Sequence, residues 1–242
     1  MKLAHTIGLI ENLPLFQGLD APLVEKIAKA ARVMRVLKRD IVYRKGDVCD
    51  GFYLVSYGRI RLSLFSSQGL EKPIQIAGMG NSFGDATMLQ ELAHYTTGIA
   101  VEDSGLVFVP KDVVTELLQS DGRLAMRMLA NLAYRLHLMV DDIDDFLLQP
   151  PAARLATYLL RLIPPRSIET RNVQLFLHKH LMAAQLNLKP ETLSRYFRQF
   201  CSQGLIELDG SRITIFSVDR LCQYGSSENM KGAAGKRKHK LL

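Results

Sequence analysis

The sequence lacks several features that would place the chain in a familiar structural class. It has only three cysteines, an odd number with no C-x-x-C pair, which argues against a disulfide framework and for a reducing compartment. No apolar run approaches the roughly 18 residues that a membrane-spanning helix needs, and the N-terminus has no signal-peptide pattern. We therefore expect a soluble, cytoplasmic protein with no membrane partner.

Motifs of catalysis are also missing. The chain has no phosphate-binding P-loop, no G-x-S-x-G nucleophile elbow and no H-E-x-x-H zinc motif. The sequence therefore predicts no catalytic residue, and nothing in it favours an enzyme.

Positive charge is concentrated in the C-terminal part of the chain. The net charge is +7, yet residues 1–120 carry 13 basic and 13 acidic side chains. Residues 151–224 carry 10 basic and 5 acidic side chains, and residues 225–242 carry 5 and 1. An excess confined to this region predicts contact with a polyanion such as double-stranded DNA.

The N-terminal half reads as many short strands separated by glycines. Its clearest strand is Arg59–Phe65, in which polar and apolar residues alternate as in a half-buried strand. The other predicted strands are Ile41–Tyr43, Phe52–Val55, Pro73–Ala77, Gly98–Glu102 and Leu106–Val109. Short strands with glycine turns indicate an antiparallel barrel or sandwich.

A long helix with an apolar seam follows. Its apolar residues recur at spacings of four and three, as in a two-stranded coiled coil, and we expect them to form a dimer interface: Leu129, Leu132, Leu136, Met139 and Ile143. The alternative is the core-facing stripe of a monomeric helix. Four aspartates crowd the C-terminal end of this helix, and Gln149-Pro150-Pro151 follows, which predicts a domain boundary and a hinge.

The stretch from His178 to Gly204 reads as a helix-turn-helix. Ala183, Asn187 and Leu193 supply a small residue, a turn residue and an apolar anchor at the required spacing. An Asp209-Gly210 turn between two apolar runs then predicts a β-hairpin, so the whole reads as a winged helix. The basic segment 225–242 is predicted to be disordered, and either contacts DNA phosphates or has no role.

One face of the second helix carries polar side chains that suit base edges. Arginine donates to guanine, glutamate accepts from cytosine and serine suits either role, so we predict DNA contacts from Glu191, Thr192, Ser194, Arg195 and Arg198. The alternative is a solvated ion pair between Glu191 and Arg195, four residues apart.

These motifs in this order resemble the CRP/FNR family of bacterial transcription regulators. The most specific are Asn12-Leu13-Pro14-Leu15-Phe16, Lys45-Gly46-Asp47, Gly58-Arg59-Ile60 and Pro190-Glu191-Thr192-Leu193-Ser194-Arg195. The resemblance implies an α+β chain with an antiparallel β-roll, or jelly-roll, of the cyclic-nucleotide-binding type. It divides the chain into a sensor (1–120), a dimerisation helix (121–149), a winged helix-turn-helix (150–224) and the tail (225–242).

The resemblance also implies a function. In the FNR-like branch, Glu-x-x-Ser-Arg accompanies palindromes of the TTGAT-N4-ATCAA type, which assigns base reading to Glu191, Ser194 and Arg195. A homodimer that works with RNA polymerase is implied, and the sequence leaves open whether it is an activator or a repressor. A stand-alone ligand-binding module with a protein partner is the alternative, but it gives no reason for the basic C-terminal half.

The sensor departs from the better-known relatives. Its effector pocket is expected at Phe83, Gly84, Asp85, Tyr95, Thr96 and Thr97, but no Lys or Arg lies between Lys72 and Lys111 to hold a cyclic phosphate. This argues against cyclic AMP (cAMP), and the cysteine count argues against an iron–sulfur cluster. The resemblance to the Dnr-like, nitric-oxide-responsive branch implies haem, for which His94 and His137 are weak candidate ligands. The alternative is a regulator that responds to a cyclic nucleotide or to another small molecule, and the effector is otherwise unknown.

Overall fold

The structure, a computed structural model, describes residues 3–120, 122–163 and 171–224. The chain forms two compact units, residues 1–137 and residues 138–242. The boundary between them falls within the longest helix, earlier in the chain than the predicted break at Gln149-Pro150-Pro151. Among the helices described, none is long and apolar enough to cross a membrane.

The first unit is built on two antiparallel sheets of four strands each. Two helices, α1 (Leu3–Glu11) and α2 (Ala21–Ala30), come before them. The strands are β1 (Arg32–Val36), β2 (Ile41–Tyr43), β3 (Gly51–Tyr57), β4 (Arg59–Phe65), β5 (Glu71–Gly78), β6 (Ser82–Phe83), β7 (Thr97–Ala100) and β8 (Ser104–Pro110). One sheet has the order β1-β8-β3-β6 and the other β2-β7-β4-β5.

Alternation along the strands divides the buried residues between two cores. Side chains such as Val55, Ile60 and Phe83 meet between the sheets. The opposite face of the first sheet, with Phe52 and Leu54, packs on the helices. These helices are α1, α2, α4 (Lys111–Ser120) and the start of α5 (Gly122–Leu148), while α3 (Asp85–Leu89) interrupts the strands. Because strand residues face alternate sides, one sheet supports both cores.

The second unit holds helix α6 (Pro151–Arg161) and the helix-turn-helix. The latter consists of α7 (Lys179–Gln185) and α8 (Pro190–Ser202). Strands β10 (Ile206–Asp209) and β11 (Arg212–Ile215) form the predicted hairpin, to which β9 (Arg171–Gln174) adds a third strand. Helix α9 (Val218–Tyr224) follows the hairpin. The predicted α+β class, with a β-roll, a long helix and a winged helix-turn-helix, is confirmed.

Several elements differ from the sequence prediction. Helix α1 and strands β1, β6 and β9 were not predicted. Two of these strands show no clear alternation, because β1 carries two arginines among its five residues and β6 has only two residues. Strand β7 ends at Ala100 rather than at residue 102. The predicted disordered segment 225–242 lies outside the described residues.

Candidate functional site

The helix-turn-helix is held by a buried apolar face. Leu193, Phe197 and Phe200 are at most 2% exposed, and Ala183 of α7 is 1% exposed. The turn between the helices contains Asn187 with φ of 51°, the left-handed conformation that asparagine tolerates better than most residues. The predicted inward face of α8 is therefore the face that packs.

The opposite face of α8 presents the candidate reading side chains. Glu191, Arg195 and Arg198 are exposed, and Thr192 and Ser194 are partly exposed. The guanidinium of Arg195 lies 5.3 Å from the centre of the Tyr196 ring. Glu191 and Arg195 are both described, and no ion pair joins them. The alternative of a solvated Glu191–Arg195 ion pair is therefore not seen, and both side chains face solvent.

The predicted seam of α5 lies on the surface of the chain. Leu129, Leu136, Met139 and Ile143 are between 44% and 62% exposed, and Leu132 is partly buried. A row of large apolar side chains left in solvent is costly, at roughly 25 cal/mol for each Å² of apolar surface. The alternative of a monomeric core stripe is therefore disfavoured, since these residues are not in the core.

The sensor unit places Asp85 in a buried polar cluster. Gly84, with φ of 82°, forms the left-handed turn into α3 that a side chain would strain, and Asp85 follows at 2% exposed. The Asp85 carboxylate accepts hydrogen bonds from Ser82 Oγ at 2.6 Å and from Arg135 Nη2 at 2.7 Å. Asn131 Nδ2 donates to Ser82 Oγ at 2.9 Å. Two side chains of α5 thus reach the site of the predicted pocket.

Arg135 was not predicted as a site residue, yet its side chain reaches this cluster. The side chain is 17% exposed, and its Nε has no hydrogen-bond partner although it is buried. No Lys or Arg lies between Lys72 and Lys111, whereas Arg135 comes from α5, the helix that carries the predicted dimer seam. Arg135 directly precedes Leu136, at a position that flanks the seam and commonly carries a charge in coiled coils, so the sequence held no signal for a role in the sensor.

The remaining predicted pocket residues are occupied or exposed. Thr96 Oγ1 and Tyr43 Oη share a hydrogen bond of 3.3 Å, and Thr97 Oγ1 accepts one from the Lys45 amide at 3.1 Å. Tyr95 is 49% exposed. Burial raises the pKa of Tyr43 well above its usual value, so its hydroxyl stays protonated. Tyr43 was not predicted as a site residue.

His94 is buried beside this cluster. It is 4% exposed, its Nδ1 has no hydrogen-bond partner, and its ring stacks on that of Tyr43 with centroids 3.6 Å apart. Burial lowers the pKa of His94, although Asp47 opposes this, so the ring is neutral at physiological pH. His137 is exposed, and its Nδ1 lies 3.1 Å from the carbonyl oxygen of Ala133.

These surroundings do not fit a haem group. Tyr43 covers one face of the His94 ring, and the Tyr43, Tyr53 and Phe83 rings fill the space beside it, with centroids 5.1 to 6.1 Å apart. A porphyrin would have to displace this packed set. In the described ranges, no three His, Cys, Asp or Glu side chains are grouped as metal ligands would be.

Comparison with known proteins assigns both halves of the chain. Residues 33–121 match the cyclic nucleotide-binding domain, and residues 153–224 match the Crp-like helix-turn-helix domain. The chain belongs to the CRP/FNR family. It is a DNA-binding transcription regulator and not an enzyme, as the sequence indicated.

Several characterised members of the CRP/FNR family are similar over most of their length. The Cyclic AMP receptor protein of Thermus thermophilus is 26% identical over 206 residues, 85% of this chain and 94% of that protein. The transcriptional activator protein Anr of Pseudomonas protegens is 24% identical, over 87% of this chain and 86% of Anr. The structure of FixK2 from Bradyrhizobium japonicum has a TM-score of 0.73 at 20% identity, over 81% of this chain and 98% of FixK2, which shows the shared fold.

Proposed function

We propose that this CRP/FNR regulator acts as a homodimer that reads palindromes of the TTGAT-N4-ATCAA type. Glu191, Ser194 and Arg195 read base edges, and Thr192 and Arg198 bind beside them. The supporting observation is that these polar groups lie on the solvent side of a helix whose other face is fully packed, with no ion pair between Glu191 and Arg195. Two such helices, related by a twofold axis, suit two half-sites of a palindrome.

The proposed base reading is tested by one substitution and a matched control. Arg195→Ala removes a bidentate contact to guanine, so affinity for the specific palindrome falls by about 1–3 kcal/mol while affinity for scrambled DNA changes little. Arg198→Ala, one turn further along the same helix, weakens both DNAs alike because it contacts phosphate. Fluorescence anisotropy with both duplexes measures this. Equal losses on both DNAs for Arg195→Ala would remove its assignment as a base reader.

The exposed seam supports the proposed dimer. Leu129, Leu136, Met139 and Ile143 face solvent in the single chain, and a second copy would cover them. We place the protein in the cytoplasm, with RNA polymerase as its partner at promoters. Relatives include a protein named as a transcriptional activator, and activation is the outcome we propose here too.

We further propose that a small-molecule effector acts at the cluster of Asp85, Arg135 and Ser82. The buried Arg135 Nε without a partner supports a ligand with an acceptor atom. The His94-Tyr95-Thr96-Thr97 segment has no arginine, and Asp85 already engages the Arg135 cation, so we do not propose cAMP. Calorimetric titration with cAMP tests whether it binds. Saturable binding would contradict the exclusion of cAMP as the effector.

Nitric oxide sensing through haem is not part of the proposal, because the rings around His94 are packed. Titration of the purified protein with haemin, followed in the Soret region, is the check. Stoichiometric uptake with a band that shifts on adding nitric oxide would restore haem as the sensor. Absence of uptake would exclude haem as the sensor.

A further inference from the structure

The junction between α5 and α6 is bridged by side chains in spite of its two prolines. Gln149 is 7% exposed, and its Nε2 donates to Asp145 Oδ1 at 2.7 Å. On the other side, Thr157 Oγ1 of α6 donates to Gln149 Oε1 at 3.4 Å. Gln149 therefore connects the last turn of α5 to α6, although Pro150 and Pro151 interrupt the backbone hydrogen bonds between them.

Arg161 adds a stronger link across the same junction. It is the last residue of α6, and its Nη2 donates to Asp145 Oδ2 at 2.8 Å while its Nη1 donates to Asp142. One guanidinium thus spans two carboxylates that lie three residues apart, on one face of α5. The Asp145 side chain is 17% exposed and that of Arg161 is 41% exposed, so the carboxylate is shielded from water while the guanidinium stays partly solvated.

A second arginine of α6 extends the connection to the helix-turn-helix. The Arg154 guanidinium lies 5.5 Å from the centre of the Phe146 ring on α5, and its Nη1 donates to the Leu186 carbonyl oxygen at 2.9 Å. Leu186 directly precedes the Asn187 turn that leads into α8. Side chains therefore run from the end of α5, through α6, to the turn before the candidate recognition helix.

The same end of α5 carries part of the seam. Met139 and Ile143 belong to the second compact unit, together with α6, α7 and α8. A second copy that covers these residues would be fixed to the unit that reads DNA. The predicted hinge at Gln149-Pro150-Pro151 is thus crossed by three side-chain links, from Gln149, Arg154 and Arg161, all within one unit.

We propose that Arg161 is a positioning residue that determines spacer specificity. By holding Asp142 and Asp145, it fixes α6 and the recognition helix relative to Met139 and Ile143, the seam residues of the same unit, and so fixes the separation of the two recognition helices in the dimer. The dimer then accepts one spacer length between half-sites, since a change of one base pair alters both separation and helical phase. This inference rests on the proposed dimer and its palindrome.

The test compares spacer lengths in the full-length protein. Wild type and Arg161→Gln are measured on palindromes with the N4 spacer, with one base pair fewer and with one more, and on a single half-site. We expect Arg161→Gln to lose about tenfold of the preference for N4 while its half-site affinity stays within about twofold. Arg161→Lys, which keeps a cation for one carboxylate, should recover part of the preference.

The matched control breaks another arginine–aspartate pair in which α5 takes part. Arg123 at the start of α5 donates to Asp20 at 2.9 Å, in the other unit. Arg123→Gln should leave the spacer preference unchanged. If Arg161→Gln weakens every DNA equally and keeps the N4 preference, Arg161 is only a structural residue and the inference is wrong.

The outcomes separate this inference from the proposed function. If wild type does not prefer TTGAT half-sites, half-sites selected by wild type from random DNA replace them, and the spacer comparison still decides the role of Arg161. If wild type binds as a monomer with no spacer preference, both the dimer and the inference fail. If wild type prefers N4 and Arg161→Gln does as well, the inference alone fails.

Discussion

At the scale of residues, the sensor is marked by a buried ion pair. Asp85 is almost fully buried, and such a carboxylate is costly unless hydrogen bonds and a cation compensate for the lost water. Ser82 supplies a hydrogen bond and Arg135 supplies the cation. Asp85 and Arg135 come from distant parts of the chain, so their ion pair holds α5 against the β-roll.

Removal of this cation should destabilise the sensor. Arg135→Met leaves the Asp85 carboxylate buried without its partner, and we expect a loss of about 3 kcal/mol in the free energy of unfolding. Adding Asp85→Asn removes the stranded charge and should recover part of the loss. Urea denaturation measures both. Arg123→Met is the control, since its pair with Asp20 is exposed and should contribute less than about 1 kcal/mol.

At the scale of elements, α5 is the helix on which the dimer depends. Leu136 is 62% exposed and lies in the centre of the seam. Leu136→Asp places a charge in the proposed interface and should convert the dimer to a monomer, because an unpaired charge is excluded from an apolar seam. Sedimentation velocity measures the change.

The control for the seam lies on the same helix. Tyr134 is 55% exposed but is outside the seam positions, so Tyr134→Asp should leave the dimer intact. An unchanged sedimentation coefficient for Leu136→Asp would refute the seam. Loss of the dimer in both variants would instead indicate that α5 itself no longer folds.

The α5–α6 junction predicts a dependence of stability on pH. Burial raises the pKa of Asp145, with Arg161 opposing this and the neighbouring aspartates Asp141, Asp142 and Asp144 adding to it. A raised pKa means that ionisation is less favourable in the folded chain than in the unfolded one. This carboxyl group therefore lowers the free energy of unfolding as the pH rises through its titration range.

Arg161→Gln should enlarge this effect, because it removes the one cation that opposes the rise in the Asp145 pKa. We expect the variant to be less stable than wild type at neutral pH, and the difference to shrink as the pH falls through the titration range of Asp145, where the carboxyl group becomes protonated. Urea denaturation across this range measures it. A deficit that does not change with pH would mean that Asp145 is not the group left uncompensated.

At the scale of the whole molecule, the excess of positive charge lies in the C-terminal region and not in the sensor. Residues 1–120 carry equal numbers of basic and acidic side chains, whereas residues 151–224 carry twice as many basic as acidic ones. DNA binding should therefore depend on salt through the C-terminal region alone. Arg198→Ala should reduce the slope of log affinity against log salt by about one, whereas Lys38→Ala in the balanced region should leave it unchanged.

Most of the fold could be predicted from local patterns. The alternation in Arg59–Phe65, the Asp209-Gly210 turn and the spacing around Asn187 are properties of short segments, and the structure has a strand, a hairpin and a helix-turn-helix at these places. Strand β1 could not be predicted this way. Its Arg32 and Arg35 hide the alternation, and only pairing with β8 makes it a strand.

The polar face of α8 follows from the sequence, since the helical period places Glu191, Ser194 and Arg195 on one side and Leu193 and Phe197 on the other. The groups that meet in the sensor and across the α5–α6 junction could be identified only from the folded chain. Arg135 is fifty residues from Asp85, and Arg161 is sixteen residues from Asp145 across two prolines. Such contacts depend on how elements pack, and no local pattern encodes them.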